Sequence, residues 1–130
     1  MRPMKMLLVL VALAVCPAVA LAHTAPTQSQ RTALTQAFDR YVHAAVPAHC
    51  LRDEVSTANR AWAEVEFFGV ARGKLIPSCA KFASNGEVIF HDRNGKWRFV
   101  TAGSSFENSN GTCGARGVPK AVMADFKLCG

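Results

Sequence analysis

Residues 88–101 read VIFHDRNGKWRFVT, and two runs of alternating apolar and polar residues flank Asn94-Gly95. Asn-Gly between two such runs favours a type I′ turn, because both central residues of that turn need positive φ. A two-residue turn also sets which residues of the two strands oppose each other. The sequence therefore predicts an antiparallel hairpin formed by residues 88–92 and 97–101.

The predicted register gives the hairpin two distinct faces, because successive side chains of a strand point to opposite sides. On the face that we expect in the core, the opposed pairs are Asp92–Trp97, Phe90–Phe99 and Val88–Thr101. On the face that we expect to be mixed and partly exposed, the opposed pairs are Arg93–Lys96, His91–Arg98 and Ile89–Val100.

Upstream of the hairpin, the sequence predicts one helix and two strands. Thr27 and Gln30 have the spacing of a capping box. An apolar stripe at helical spacing follows them: Leu34, Ala37, Phe38, Tyr41 and Ala45. Pro47 is expected to end this helix, because the residue before a proline is disfavoured in the α conformation. Residues 51–57 and 61–68 are predicted strands, and residues 69–86 are predicted to form an irregular connection.

Downstream of the hairpin, residues 104–117 are predicted to form a polar loop, and Pro119 is placed for the first turn of a short last helix. The expected buried residues of that helix are Val118, Val122, Met123 and Phe126. The order of elements predicts an α+β domain. It has an N-terminal helix, an antiparallel sheet of three or four strands and a short C-terminal helix, and both helices pack on one face of the sheet.

The first 22 residues have the layout of a secretory signal peptide. Arg2 and Lys5 form a positive n-region, residues 6–15 are apolar, and Ala20-Leu21-Ala22 is a cleavage signal. The apolar run is shorter than the roughly 20 residues that span a bilayer. We therefore expect cleavage after Ala22 and a periplasmic or secreted protein without a transmembrane span.

A bacterial lipoprotein acylated at Cys16 is the alternative reading of this segment. It fits less well, because Val15 stands where a small residue is usual before the lipidated cysteine. Cleavage after Ala22 leaves residues 23–130 as one domain, in which residues 23–29 are expected to be a loose tail. The formal net charge then falls from +6 to +4. This modest charge has no concentrated basic stripe, so nucleic acid is not an expected partner.

The remaining cysteines are Cys50, Cys79, Cys113 and Cys129. An even number in a short exported chain predicts two disulfides, for which three pairings exist. We prefer Cys50–Cys79 with Cys113–Cys129, because nearest-neighbour pairing closes the shortest loops. The alternative is a metal site formed by His43, His49 and Cys50. It lacks a C-x-x-C spacing and needs a free thiolate in an oxidising compartment, so we expect no metal and no cofactor.

Three local patterns resemble small exported bacterial proteins of uncharacterised function. The patterns are Trp62-Ala63 at the start of a strand, G-x-W-R-x-V at residues 95–100, and a late segment with Cys113, Val118-Pro119 and Cys129. The resemblance covers about residues 34–129. It implies the fold described above and the Cys113–Cys129 pairing, and it assigns no catalytic residue.

One group of side chains combines residue types that can act in catalysis. His91 and Arg98 are cross-strand neighbours in the predicted hairpin, and Glu64 and Glu66 join them if their strand lies alongside with matching phase. Carboxylate, imidazole and guanidinium groups together can perform general acid–base catalysis. The alternative is a solvated face on which opposite charges pair across strands.

Two functions follow from these observations. The sequence contains no nucleophile elbow, zinc-protease motif, P-loop or dinucleotide-binding motif. We therefore favour a non-enzymatic binding module, such as an inhibitor, an immunity-type protein or an envelope interaction protein, whose partner is an unknown protein or envelope component. Its expected contact residues are Trp62, His91, Arg93, Lys96 and Arg98. The alternative is a small secreted hydrolase, similar to a nuclease or glycosidase, whose expected catalytic residues are Glu64, Glu66, His91 and Arg98.

Overall fold

A computed structural model describes residues 23–82, 86–107 and 110–129, so the predicted signal peptide and the Cys16 lipidation site lie outside the described residues. The strands are β1 (His23–Thr24), β2 (Leu51–Ser56), β3 (Trp62–Phe67), β4 (Val70–Ala71), β5 (Lys74–Leu75), β6 (Glu87–Arg93) and β7 (Lys96–Gly103). The α-helices are α1 (Gln28–Val42) and α2 (Lys120–Asp125). Within the described ranges, no helix has the length and hydropathy needed to cross a bilayer.

The predicted hairpin is present as β6 and β7. Asn94 and Gly95 both have positive φ, 54° and 80°. Four predicted pairs form: Arg93–Lys96, Asp92–Trp97, His91–Arg98 and Phe90–Phe99. The register then shifts by one residue, so the two outer predicted pairs are wrong. Ile89 pairs with Thr101 instead of Val100, and Val88 pairs with Ala102. Val100 is thus the extra residue of a β-bulge, a feature that leaves one residue without an opposite partner.

The main sheet is antiparallel and has the order β1-β2-β3-β6-β7. Its four long strands agree with the predicted three or four, and β1 is a two-residue addition at the edge. His23 pairs with Ser56 and Thr24 with Val55, so the start of the expected loose tail belongs to the sheet. Residues 69–86 contain a separate small hairpin, β4–β5, within the predicted irregular connection.

Helix α1 begins as predicted and ends earlier than predicted. The capping box is formed, since the Gln30 N–H donates to Thr27 Oγ1 at 3.2 Å and the Thr27 N–H donates to Gln30 Oε1 at 2.9 Å. His43 adopts the left-handed conformation, with φ 57°, and its N–H donates to the Asp39 carbonyl. The Val46 N–H donates to the Asp39 carboxylate at 2.8 Å. These bonds end the helix before Pro47 and leave Ala45 outside it.

The position of α1 in the chain also differs from the prediction. Strand β1 precedes it, so α1 lies within the chain and is not an N-terminal helix. The cause is that residues 23–24 pair with β2 before the helix begins.

The two helices cover opposite faces of the sheet, which corrects the prediction that both pack on one face. The α1 face buries an apolar cluster that includes Leu34, Phe38, Val65, Val88, Phe90 and Trp97. The other face is covered by α2 and its flanking residues, in a cluster with Trp62, Ile89, Phe106, Val118, Val122, Met123, Phe126 and Leu128. The central strands carry large apolar side chains on both faces, so each face needs its own cover.

Both preferred disulfides are present. Cys50–Cys79 joins the residue before β2 to the connection before β6, with the Cα atoms 5.6 Å apart. Cys113–Cys129 joins the loop after β7 to the residues after α2, with the Cα atoms 5.5 Å apart. Cys50 and Cys79 are fully buried in the core on the α1 side, whereas Cys113 is exposed.

Asp125 connects α2 to the turn between β2 and β3. Its carboxylate accepts hydrogen bonds from the Ser56 hydroxyl at 2.6 Å and from the Thr57 N–H at 2.9 Å. Burial by itself raises the pKa of Asp125, but the hydrogen bonds from Ser56, Thr57 and Ala58 outweigh it and lower the pKa. The ionised carboxylate therefore holds the C-terminal layer on the sheet.

Asp125→Ala is expected to reduce the free energy of unfolding by about 1–3 kcal/mol at pH 7, because the buried Ser56 hydroxyl loses its acceptor. A lowered pKa stabilises the fold above the unfolded-state value of 3.8, and this contribution is lost as the pH falls through the folded-state pKa. Urea denaturation at pH 7 and pH 3 measures both effects. Lys120→Gln, on the exposed side of the same helix, is the control; an equal loss in that variant contradicts the role of Asp125.

Candidate functional site

The residues predicted to form a site lie on the sheet face that α2 partly covers. Trp62 pairs with His91, and His91 pairs with Arg98, so three strands carry them side by side. The Trp62 and His91 rings stack, with centroids 4.2 Å apart and planes 12° from parallel. Trp62 is only 5% exposed. It therefore supports His91 from beneath and offers little surface of its own to a partner.

Among the described residues, His91 is not paired with the carboxylate that the hydrolase hypothesis requires. Arg93 Nε donates to His91 Nδ1 at 3.3 Å. Glu64 pairs with Ile89, and Glu66 pairs with Glu87, which places both glutamates further along the strands from His91. The described partners of His91 are thus an indole and a guanidinium group. This arrangement does not provide a base that a carboxylate orients.

Glu64 and Glu66 instead belong to a group of four glutamates on one sheet face, here called the glutamate cluster: Glu54, Glu64, Glu66 and Glu87. Glu54 is directly opposite Glu64, and Glu66 is directly opposite Glu87. Arg52 faces the cluster, and its Nε lies 3.4 Å from Glu54 Oε1. Glu64 and Glu66 belong to the site predicted from the sequence, whereas Glu54 and Glu87 do not.

Glu64 is the buried member of the cluster, with 7% of its surface exposed. The pKa of Glu64 is raised to about 8, mainly by burial and also by the charges of Glu87, Glu54 and Glu66, while Arg52 acts in the opposite direction. Burial also raises the pKa of Glu87, and the charge of Glu66 adds to this effect. The buried Oε2 atom of Glu64 has no hydrogen-bond partner among the described residues.

A second candidate surface is a groove of about 460 Å³ between α1 and β7, here called the α1–β7 groove. Its lining residues are Ala37, Arg40, Tyr41, His43, Lys96, Trp97, Arg98 and Phe99. Arg40 donates from Nη2 to the Trp97 carbonyl at 3.3 Å and so ties the helix to the edge strand. The groove contains Lys96 and Arg98, two of the predicted contact residues, while the predicted contact residue Arg93 is exposed beside the turn.

Two aromatic rings form the exposed centre of the α1–β7 groove. Tyr41 and Phe99 stack with centroids 4.8 Å apart and planes 12° from parallel, and they are 36% and 48% exposed. Every charged or titratable side chain that lines the groove is basic, apart from the Tyr41 phenol. The apolar patterns of helix and hairpin predict Tyr41 and Phe99 in the core, but α1 packs at the edge strand β7, where both rings remain exposed.

A third concave surface, of about 650 Å³, lies on the opposite side of the domain and is here called the α2 groove. Its lining residues are Thr112, Cys113, Lys120, Met123, Ala124, Lys127 and Cys129. Lys120 and Lys127 flank a floor of Met123, Ala124 and the disulfide. The α2 groove has positive charge but no aromatic side chain.

The metal site considered from the sequence meets a chemical obstacle. Among the described residues, His49, Cys50 and Cys79 are the group whose potential ligand atoms lie within 4.8 Å of one another. Both sulfur atoms are already joined in a disulfide, so neither provides a thiolate ligand. His49 Nε2 lies 2.9 Å from Ser78 Oγ, and His43 lines the α1–β7 groove.

Comparison with known proteins gives no match for this fold or this sequence. No protein-family model matches the chain, and no similar protein is found among the curated proteins or the solved structures.

Proposed function

We propose that this protein is an exported, disulfide-stabilised binding module that docks an acidic surface of a partner protein on the α1–β7 groove. The observation that carries the proposal is the exposed Tyr41–Phe99 stack surrounded by basic side chains. Aromatic residues and arginine are the residue types that dominate the binding energy of protein interfaces.

The groove is built as a rigid surface. The Arg40–Trp97 hydrogen bond holds α1 against β7. Tyr41 also makes an edge-to-face contact with the buried Phe38 ring, with the ring centroids 6.0 Å apart. The aromatic pair is thus ordered before a partner arrives. Such preorganisation reduces the entropy lost on binding, which strengthens the complex.

The positive charge of the groove favours an acidic partner surface. Arg40, Lys96 and Arg98 surround the rings, with His43 at the end of α1. Complementary charge accelerates association and excludes partners of like charge. We infer a partner that presents carboxylates around an apolar centre, and we expect binding to weaken as salt screens these charges.

Export is part of the proposal and has two supports. Residues 1–22 have the pattern of a signal peptide, and disulfides such as Cys50–Cys79 persist in oxidising compartments. The partner is therefore a protein of the periplasm, the envelope or the medium. An inhibitor, an immunity-type protein and an envelope interaction protein all belong to this class.

The hydrolase alternative has weaker support. His91 is stacked on Trp62 and hydrogen-bonded to Arg93, and Glu64 is only 7% exposed. A binding module needs neither group to be accessible.

A double charge reversal tests the proposal. Lys96→Glu/Arg98→Glu is expected to weaken binding to the partner at least about tenfold, since it replaces two cations beside the stack by anions. The partner is first identified by cross-linking the exported protein in envelope and culture fractions of the producing cells. Its affinity for the purified variants is then measured by calorimetry at two salt concentrations.

The control is the same double change in the other basic groove, Lys120→Glu/Lys127→Glu. It alters the net charge equally and leaves the α1–β7 groove untouched. We expect this variant to bind like the wild type apart from a small general charge effect. Unchanged binding by the Lys96/Arg98 variant, or a loss confined to the Lys120/Lys127 variant, overturns the proposal.

A further inference from the structure

The glutamate cluster brings four carboxyl groups together on one face of the sheet. Two pairs of glutamates stand directly opposite each other on adjacent strands, Glu54–Glu64 and Glu66–Glu87. Like charges directly opposite in an antiparallel sheet are destabilising. Arg52 faces the cluster, lies 3.4 Å from Glu54 and lowers the pKa of Glu64, but its effect there is smaller than those of burial and of the neighbouring glutamates.

A separate observation at Glu64 indicates that the cluster takes a ligand. The residue is 7% exposed, and its Oε2 atom is buried without a hydrogen-bond donor among the described residues. A buried oxygen that lacks a partner costs free energy, and a bound cation is one way to satisfy it. Glu54, Glu66 and Glu87 are half-buried around it, so the cluster is open to an ion from solvent.

We propose that the glutamate cluster binds a calcium ion through carboxylate oxygens of Glu64, Glu66 and Glu87, with Glu54 at its edge. Calcium accepts six to eight oxygen ligands in a flexible geometry, which suits four long side chains on a sheet. Magnesium demands near-ideal octahedral geometry and keeps its water, so it fits this surface less well.

Binding requires a small rearrangement of side chains. No three of the glutamates have oxygens within 4.8 Å of one another as they stand. Glu66 and Glu87 are directly opposed, an arrangement that places Cβ atoms about 4.5–5.5 Å apart. Glu64 is opposite Ile89 and is therefore a diagonal neighbour of Glu87, about 7–8 Å away, a distance that long side chains can bridge. Rotation of the three side chains can then bring their carboxylates onto one ion. Because the side chains must rearrange before the ion binds, the affinity for calcium is expected to be low, with a Kd on the order of 10⁻³ M, as in extracellular calcium modules.

Thermal unfolding at pH 8 tests the calcium site on the full exported protein. Addition of 10 mM CaCl₂ is expected to raise the wild-type Tm by about 5 °C, from the ratio of ion concentration to Kd and the Tm sensitivity of a domain of this size. Equimolar MgCl₂, and NaCl at matched ionic strength, are expected to give a clearly smaller shift. Calcium titration by calorimetry provides a direct readout that does not depend on stability.

Two variants and a control complete the test. Glu64→Gln and Glu87→Gln are expected to abolish the calcium-dependent shift, although each remains folded because glutamine keeps the shape of the side chain. Glu107→Gln, at an exposed residue outside the glutamate cluster, is expected to keep the full shift. An equal response to magnesium, no response to calcium, or a shift that persists in Glu64→Gln overturns the proposal. The assay involves no partner protein, so its outcome is independent of the α1–β7 groove.

Discussion

Glu64→Gln is expected to raise the free energy of unfolding at pH 8 by about 3–5 kcal/mol in the presence of a chelator, and to leave it nearly unchanged at pH 4. The pKa of Glu64 rises from 4.5 to about 8 on folding, mainly because the carboxyl group is buried. Each pKa unit corresponds to about 1.4 kcal/mol of difference between the two protonation states. Glutamine has the shape of the protonated acid and cannot ionise.

The direction of the effect follows from proton linkage. Below pH 4.5, Glu64 is protonated in both the folded and the unfolded chain, so its ionisation costs the fold nothing. Between pH 4.5 and 8, the unfolded chain releases the proton while the folded chain retains it, and stability falls as the pH rises. Above pH 8 both states are ionised and the loss is complete. The groups that face Glu64 are Arg52 and Glu54 on β2, Glu66 on β3 and Glu87 on β6.

Urea denaturation of the wild type and of Glu64→Gln from pH 4 to pH 9 measures this difference. Glu107→Gln serves as the control, because its side chain is exposed and is not among the groups that shift the pKa of Glu64. Parallel stability curves for the wild type and Glu64→Gln would show that the Glu64 carboxyl group ionises in the fold as easily as in the unfolded chain.

The second large effect concerns the buried disulfide. Cys50→Ala/Cys79→Ala is expected to lower the free energy of unfolding by about 3.5 kcal/mol from loop entropy, for a sequence separation of 29 residues. An additional loss comes from packing, because both cysteines are fully buried against the α1 side of the sheet. Cavities left by deleted core atoms destabilise a fold further.

The matched comparison is Cys113→Ala/Cys129→Ala. Its separation is 16 residues, which corresponds to about 3 kcal/mol of loop entropy. Cys113 is exposed and Cys129 is only partly buried, so less packing is lost than at Cys50–Cys79. Urea denaturation under identical conditions ranks the two variants. If the Cys113/Cys129 variant is the less stable one, packing around Cys50–Cys79 does not contribute as we expect.

Local features of this fold could be predicted from the sequence. The Asn94-Gly95 turn set the register as far as Phe90–Phe99, and the Thr27–Gln30 capping box marked the start of α1. Both signals act over a few residues, so their outcome depends little on the rest of the chain. The bulge at Val100 and the early end of α1 at His43 carry no comparable local signal.

The placement of the two helices on the sheet, the glutamate cluster and the Tyr41–Phe99 stack could not be predicted from local sequence patterns. Residues 61–68 carry Trp62 on one face and Val65 on the other, and nothing in the alternation shows that each face has its own helix. The glutamate cluster depends on the strand order β2-β3-β6, which brings Glu54 and Glu87 to either side of β3. The Tyr41–Phe99 stack joins residues that are distant in sequence, so only the packing of α1 on β7 reveals it.

The opposite covering of the two sheet faces has a consequence for the timing of folding. The α1 side of the sheet is covered by residues that are synthesised before β7. On the other side, Trp62 and Ile89 remain uncovered until residues 118–128 have been synthesised. A chain that has been synthesised only as far as β7 thus has one sheet face covered by α1 and one apolar face exposed. Until Asp125 reaches Ser56, that bare face is the surface on which a chaperone or a neighbouring nascent chain would attach.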